Sequence, residues 1–185
     1  KGNLLQDKLF AKWGGAPTTL ILRHSDDRLD KYTKQRYRKK LESLVSNFKN
    51  VSERSEQANL TNADQHYISA ITYLRELTRD TQKYPLILKE NMNYGFSRNL
   101  LAFKATAITI ILISLSISLL IVIVNFKDKY VDISSLSLLP SQYYVLIILH
   151  LIFLLFWCFM INESWVKVRA YAYAKRLLSS CEDIS

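Results

Sequence analysis

His24 lies close to two carboxylates, Asp26 and Asp27, and directly follows Arg23. An imidazole among carboxylates can bind a divalent metal ion or activate a water molecule for hydrolysis. Only one histidine is present in this segment, however, and Asp30 follows at a position where it can cap the next helix. The residue types therefore favour helix capping. A membrane-bound hydrolase built on Arg23 and this cluster ranks last among the functions considered, and no catalytic, cofactor-binding or metal-binding residue is predicted.

The adjacent glycines Gly14 and Gly15 are a second candidate for chemistry. A phosphate-binding loop of the P-loop type requires Gly-x-x-x-x-Gly-Lys followed by Ser or Thr. Here Ala16 and Pro17 follow the glycine pair, so the segment does not fit a loop of that type. We instead expect Trp13 and Pro17 to form a packed corner between two elements.

Two long uncharged runs dominate the second half of the chain. The first has 22 residues between Lys104 and Lys127, and the second is most apolar over 143–161. About 20 apolar residues in a helix span the hydrocarbon layer of a bilayer, which is about 30 Å thick. Both runs are therefore predicted to be transmembrane helices, at about 105–124 and 143–161. Pro140 and the neighbouring serines predict a turn that joins them as a hairpin.

The distribution of positive charge predicts how this hairpin is oriented. Of the 25 Lys and Arg residues, 19 lie in 1–104 and four follow residue 161, whereas the connecting segment has two. Cytoplasmic flanks of transmembrane helices are enriched in Lys and Arg. Both ends of the chain are therefore expected in the cytoplasm.

Three polar residues within the apolar runs are candidates for self-assembly or for a pore. Ser114 and Ser118 have the small-xxx-small spacing that allows two helices to approach closely. His150 lies near the middle of the second run, where an ionisable side chain usually faces protein or water. The alternative is an ordinary hairpin, in which the hydroxyls bond to their own helix and a neutral imidazole is paired within the bundle.

The segment 30–48 is predicted to be a basic amphipathic helix. Its apolar stripe is expected to pack inward; the residues of this stripe are Tyr37, Leu41, Leu44 and Phe48. Four cations are interpreted as a basic surface, namely Lys34, Arg38, Lys39 and Lys40. Such a surface can attract anionic lipid headgroups or nucleic acid, or it can be an ordinary solvated face.

Other segments also have helical periodicity. Helices are expected over 4–13 and 63–80, with a polar link over 51–62 between the latter and the basic helix. The predicted buried side of the helix 63–80 consists of Tyr67, Ile71, Leu74 and Leu77 or Thr78. Pro85 is tolerated at the start of a helix, so the chain is expected to run from there straight into the first transmembrane helix. The C-terminal helix, 162–180, is expected to continue the second crossing. Its predicted inward face consists of Trp165, Val168, Ala172 and Leu178.

The segments 13–19 and 30–41 resemble uncharacterised bacterial membrane proteins that have a Trp-Gly-Gly-x-Pro-Thr-Thr segment followed by a helix rich in Lys, Arg and Tyr. The matching positions are Trp13, Gly14, Gly15, Pro17, Thr18, Thr19, Arg23, Thr33, Lys34, Arg36 and Tyr37. The resemblance implies a bacterial inner membrane and hydrophobic helices that can precede the tryptophan, and it implies no activity. In layout alone, the chain is similar to two-helix membrane effectors of bacterial anti-phage systems, which oligomerise on a signal and breach the inner membrane.

These patterns predict an all-α integral membrane protein. Its expected parts are a cytosolic basic helical domain (1–104), a transmembrane hairpin (105–161) and a cytosolic C-terminal helix (162–185). The expected function is self-assembly in response to a cytosolic partner or signal, as in a membrane-disrupting defence effector. Two alternatives remain. One is the membrane-bound hydrolase considered above, and the other is a membrane-anchored subunit that recruits a cytosolic enzyme or nucleic acid. The expected partners are the lipid bilayer, further copies of the chain and a cytosolic protein or other anionic partner.

Overall fold

The computed structural model describes residues 2–46, 48, 50–126 and 140–184, and these residues are helical with no strand among them. The predicted all-α class is confirmed. The helices are α1 (Gly2–Trp13), α2 (Pro17–Leu20), α3 (Lys31–Leu44), α4 (Glu53–Ala58), α5 (Leu60–Leu77), α6 (Pro85–Phe126), α7 (Ser141–Leu155) and α8 (Glu163–Ser179). The predicted turn between the two apolar runs lies largely outside the described residues, since 127–139 are not among them.

The chain divides into two compact units, and this division differs from the predicted domains. The first, called here the helical unit, comprises residues 1–98 together with 166–185. The second, called the apolar unit, comprises 99–165. The C-terminal segment, expected as a separate cytosolic helix with one face that returns to the cytosolic helices, is therefore part of the same unit as the N-terminal helices.

The core of the helical unit is built from apolar stripes on α3, α5 and α8. Tyr37 and Leu41 are buried on α3, and Tyr67 and Leu74 are buried on α5, as their spacing predicted. Tyr67 and Leu41 are completely excluded from solvent. Burial of such large side chains contributes roughly 1.5–3 kcal/mol each, so these two stripes position the polar groups described below.

The predicted inward face of α8 is wrong in part. Val168 is 65% exposed, whereas Val166, Ala170, Ala174 and Leu177 are buried. These four residues follow the i, i+4, i+8 and i+11 spacing of one helix face. Two of them are alanines, whose small side chains allow close approach of the helix backbone to its neighbours.

Local residues explain where the first helices begin and end. Gly14 and Gly15 have φ of +85° and +144°, which favour glycine, and they end α1 as predicted. Pro17 stands at the first position of α2, where its missing N–H costs nothing. The carboxylate of Asp30 accepts a hydrogen bond from the Thr33 backbone N–H at 2.9 Å, which confirms its predicted capping role.

The predicted polar link over 51–62 is wrong because it contains α4. Ser52 caps this helix, with its hydroxyl accepting from the Ser55 backbone N–H at 3.2 Å. Asn59 then ends α4 and caps α5 by accepting from Asn62 N–H at 3.0 Å. The helix over 63–80 therefore begins three residues earlier than its sequence suggested.

The apolar unit contains most of α6 and all of α7. As predicted, α6 is one continuous helix of 42 residues from Pro85. A π-helical turn, Phe156–Met160, follows α7 and ends at Ile161, whose backbone is extended. Asn162 then starts α8 by accepting a hydrogen bond from the Trp165 backbone N–H. The expectation that the second apolar helix continues unbroken into the C-terminal helix is therefore wrong.

Candidate functional site

Arg38 of α3 is the centre of a buried polar network, with only 3% of the residue exposed. Its Nε donates to the Leu22 carbonyl at 2.9 Å. One terminal nitrogen donates to the Tyr67 hydroxyl and lies 3.3 Å from the Glu56 carboxylate. The guanidinium carbon also lies 5.1 Å from the centre of the Tyr67 ring. A charged group this deep requires such partners, because burial of an isolated charge costs several kcal/mol.

Glu56 supplies the opposite charge from α4, and it is also buried. It accepts a hydrogen bond from the Tyr67 hydroxyl at 2.6 Å and from the backbone N–H of His24 at 2.8 Å. Burial and the hydrogen bond to Glu56 raise the pKa of Tyr67, so this phenol stays protonated and donating. The network therefore joins α3, α4, α5 and the segment that follows α2.

The cluster proposed for hydrolysis is divided among structural contacts. His24 Nε2 lies 2.9 Å from the Val51 carbonyl and also faces the Arg38 guanidinium. The carbonyl can only accept and the guanidinium can only donate, so the ring serves one of them at a time. Arg23 instead pairs with Asp64 at 2.5 Å.

The two carboxylates of that cluster line the same cleft as His24, but the hydrogen bonds of the imidazole go to Val51 and Arg38. The Asp26 carboxylate accepts from the side chain and the backbone N–H of Arg28. Asp27 lines two open clefts beside Asp26. Among the described residues, no three His, Cys, Asp or Glu side chains are grouped to hold a metal ion. Arg23, His24 and Asp26 are therefore engaged in structural contacts, whereas Asp27 faces the clefts.

The prediction that Lys34 and Arg38 belong to a basic surface is wrong, because both are buried. Lys34 Nζ donates to the Arg23 carbonyl at 2.8 Å and to the Asp26 carbonyl. Burial lowers the pKa of Lys34, and the negative charge of Asp26 opposes that effect. Positions 34, 37, 38 and 41 share one helix face, so spacing could have placed both cations on the buried stripe with Tyr37.

Lys39 and Lys40 remain available at the surface. Lys39 is exposed and Lys40 is half-buried. Two such lysines attract anionic partners only weakly, because surface charges are screened by salt. Of the four cations that were predicted to form a basic surface for a partner, two are therefore at the surface.

In the apolar unit, Ser114 and His150 are brought together, with 2.8 Å between Oγ and Nε2. His150 Nδ1 lies 2.7 Å from the Leu146 carbonyl, which can only accept, so Nδ1 carries a proton. In the neutral ring Nε2 is then the acceptor, and the Ser114 hydroxyl donates to it. This bond links α6 and α7.

Ser118 is buried and donates to the Ser114 carbonyl of its own helix at 2.8 Å. Ser116 donates to the Leu112 carbonyl in the same way. These hydroxyls satisfy their hydrogen-bonding capacity locally, as serines in apolar helices commonly do. Close approach at Ser118 remains compatible with the predicted small-residue contact.

Lys104 lies at the start of the uncharged part of α6. Its ammonium group binds backbone carbonyls at the C-terminal end of the second apolar helix. Its Nζ donates to the Cys158 carbonyl at 2.8 Å and to the Ile161 carbonyl at 2.7 Å. Carbonyls at the end of a helix have no partners within the helix. Lys104 therefore supplies donors where the π-helical turn ends, and it holds the two apolar helices together at that level.

Comparison of the chain with protein-family models, with curated proteins and with solved structures finds no match. The geometry above and the physical chemistry of these residues are therefore the basis for a function.

Proposed function

We propose that the protein is an integral membrane protein in which α6 and α7 cross a bacterial inner membrane as a hairpin, with both ends of the chain in the cytoplasm. The observation that carries this proposal is the exposure of the apolar helices. Within the most apolar window of each helix, only 6% and 0% of residues are buried by the rest of the chain. An apolar core helix of a soluble protein would have most of that surface covered.

The dimensions support the same proposal. The 20 residues of 141–160 form one of the two candidate spans, and about 20 helical residues extend over the ~30 Å of a bilayer's hydrocarbon. Ser114 is ten residues beyond Lys104, or about 15 Å along a helix, which corresponds to the middle of that layer. Polar side chains at that depth need a partner, and the bond between Ser114 and His150 provides one.

We further propose that the protein is not an enzyme and acts by associating with copies of itself. Large side chains cover the outer faces of both helices, including Ile110, Ile123 and Phe159, which are 62%, 62% and 71% exposed. Lipid or the same helices of another copy can cover them. The helical unit would then bind the cytosolic partner or signal that controls assembly. A defence effector that disrupts the membrane when it assembles is one protein of this kind.

Cysteine labelling tests the membrane topology. In a background with Cys158 and Cys181 replaced by serine, one variant places cysteine at the exposed Arg54 and another at Ser137, between the two apolar helices. A membrane-impermeant maleimide added to spheroplasts should label Ser137→Cys, and it should label Arg54→Cys only after lysis. Labelling of Arg54→Cys in intact spheroplasts would overturn the orientation, and release of the intact chain by carbonate would overturn insertion.

Self-association has a separate test. The molecular mass of the purified protein in mild detergent should exceed that of one chain over a wide concentration range. Expression should also depolarise cells if the assembly disrupts membranes. A monomer at all concentrations would contradict self-association while leaving the topology intact.

A further inference from the structure

A cleft of about 500 Å³ lies within the helical unit, between α1, α2, α5, α6 and α8. Its walls combine aromatic and small side chains with two guanidinium groups. The residues that matter for its chemistry are Arg75, Arg98, Tyr94, Thr18 and Gly95. The cleft takes no part in the Arg38 network.

The charge of this cleft distinguishes it from the other large clefts of the unit. Among its described lining residues, Arg75 and Arg98 are the charged ones, and none carries a carboxylate. The clefts beside Asp26 and Asp27 contain both acids and bases. Two positive groups that share a concave site without a neutralising acid create a local potential that attracts anions.

The hydrogen bonding of the two arginines leaves several donors unused. Arg98 donates from one terminal nitrogen to Gln6, and its guanidinium lies 5.6 Å from the centre of the Tyr94 ring. Its Nε is buried, and no described residue accepts a hydrogen bond from it. Arg75 reaches the Thr18 hydroxyl over 3.4 Å, which is long for a hydrogen bond. Each guanidinium has five N–H donors, and the hydrogen bonds named here use one of them on each arginine.

The backbone also leaves the cleft open beside these cations. A Cβ added at Gly95 would meet nothing within 4 Å, so the wall at this position faces free space. Gly95 precedes Arg98 by three residues on α6, hence both lie on the same side of that helix. Because Gly95 has no side chain, this position leaves room for a compact anion to approach Arg98.

The position of Arg98 in the sequence indicates a source for the anion. Arg98 precedes Lys104 by six residues, or about 9 Å along a helix. The polar headgroup layer on each side of a bilayer is roughly 5–8 Å thick. If the hydrocarbon begins near Lys104, the backbone of Arg98 lies at the outer edge of this layer, and its long side chain can extend back to the lipid phosphates.

We propose that this cleft binds a phosphate group through Arg75 and Arg98, and that the phosphate belongs to an anionic phospholipid of the inner leaflet. The planar donors of arginine match phosphate oxygens in pairs, which gives both attraction and orientation. The lipid source rests on the proposed membrane location. Phosphate binding itself does not rest on it, because it follows from the cleft alone.

The test measures retention of ligands by the purified full-length protein in detergent, using native mass spectrometry. The probes are phosphatidylglycerol, zwitterionic phosphatidylcholine and inorganic pyrophosphate. We expect phosphatidylglycerol to be retained at least about tenfold more strongly than phosphatidylcholine. Arg98→Gln and Arg75→Gln should each weaken that retention by about tenfold or more, since each removes a charged donor.

Four further variants control for general charge, for access to the cleft and for folding. Arg79→Gln removes an exposed cation that pairs with Glu76 outside this cleft, and it should leave retention unchanged. Gly95→Trp should block the cleft, whereas Gly95→Ala adds only a methyl group and should bind normally. Thermal unfolding of each variant shows whether lost binding reflects lost folding, and Arg98→Lys provides a conservative second substitution.

The outcomes distinguish the proposal from the membrane topology. If pyrophosphate binds with dependence on Arg75 and Arg98 but phosphatidylglycerol does not, the phosphate site stands and the lipid source is wrong. If neither binds, or if Arg79→Gln weakens binding as much as Arg98→Gln, the inference is overturned. Failure of membrane insertion in the labelling test would remove the lipid source alone.

Discussion

Replacement of Glu56 by glutamine is the sharpest test of the buried network. The change keeps the shape of the side chain and removes its charge. In the folded protein, the two carboxylate oxygens face donors from the Tyr67 hydroxyl, the His24 backbone N–H and the Arg38 guanidinium. A glutamine has only one oxygen that accepts, so its amide group would face at least one of these donors.

The expected loss of stability follows from the burial of the pair. The side chains of Arg38 and Glu56 are 3% and 5% exposed. Removal of one partner from a buried ion pair costs roughly 3–5 kcal/mol, because the other charge remains in a low-dielectric site. For a unit of this size, about 3 kcal/mol corresponds to a fall in melting temperature of roughly 10 °C.

Cys181 provides the assay, because it is buried in the helical unit and its thiol becomes accessible on unfolding. In a Cys158→Ser background, a fluorogenic maleimide added during slow heating reports the melting of this unit in the intact detergent-solubilised chain. Arg36→Gln is the matched control on the same helix, since Arg36 and its partner Glu182 are 60% and 52% exposed. Exposed ion pairs contribute little, so its melting temperature should match that of the parent.

Coupling between the two charges completes the test. Arg38→Met combined with Glu56→Gln should cost less than the sum of the single changes, because the double variant leaves no unpaired buried charge. A melting temperature for Glu56→Gln within 2–3 °C of the parent, a shift of roughly 1 kcal/mol or less, would refute the reasoning. Strict additivity of the two changes would refute the pairing.

Two further predictions concern other buried groups. Burial raises the pKa of the Cys181 thiol from 9.0 to about 12, so between pH 9 and 10 the unfolded chain loses a proton that the folded chain keeps. Stability should be complete below about pH 8 in this respect and fall by about 1.4 kcal/mol by pH 10. Urea unfolding should show this extra fall in the parent and not in Cys181→Ala, and equal slopes would contradict it. In detergent–SDS titrations, Ser114→Ala and His150→Leu should each weaken the pairing of the apolar helices by about 0.6–2 kcal/mol. The double variant should be no weaker than either alone, and additive losses would show that the two side chains do not share a bond.

The stripes of the helical unit were predictable because apolar spacing fixes which face of a helix turns inward. Tyr37 and Leu41, and likewise Tyr67 and Leu74, are buried where their periodicity placed them. The helical state of the two apolar runs was predictable for a related reason, since about 20 consecutive uncharged apolar residues are typical of one long helix. These signals are local in the sequence and need no knowledge of tertiary contacts.

The buried network was missed because its partners are distant in sequence. Arg38 and Glu56 are 18 positions apart, and both residue types usually indicate a solvated surface. Helix α4, 53–58, was missed with them, since it has no apolar periodicity and its buried residue is Glu56. Only the fold shows that this short polar helix turns a carboxylate toward the interior.

In the proposed membrane location, the two units would use similar hydrogen bonds in different surroundings, water for the helical unit and lipid for the apolar unit. When the helical unit unfolds into water, Tyr67 and Glu56 exchange their bond for bonds to water, so its net contribution is modest. If α6 and α7 separate in lipid, the Ser114 hydroxyl can turn to its own backbone, whereas His150 Nε2 loses the hydrogen bond that Ser114 donates to it. The bond between Ser114 and His150 therefore opposes separation most strongly in the membrane, where the apolar contacts between these helices gain little from excluding water. The polar pair near the middle of the two helices and the bonds of Lys104 at one end then favour α6 and α7 as partners. In the helical unit, a larger buried network joins α3, α4 and α5.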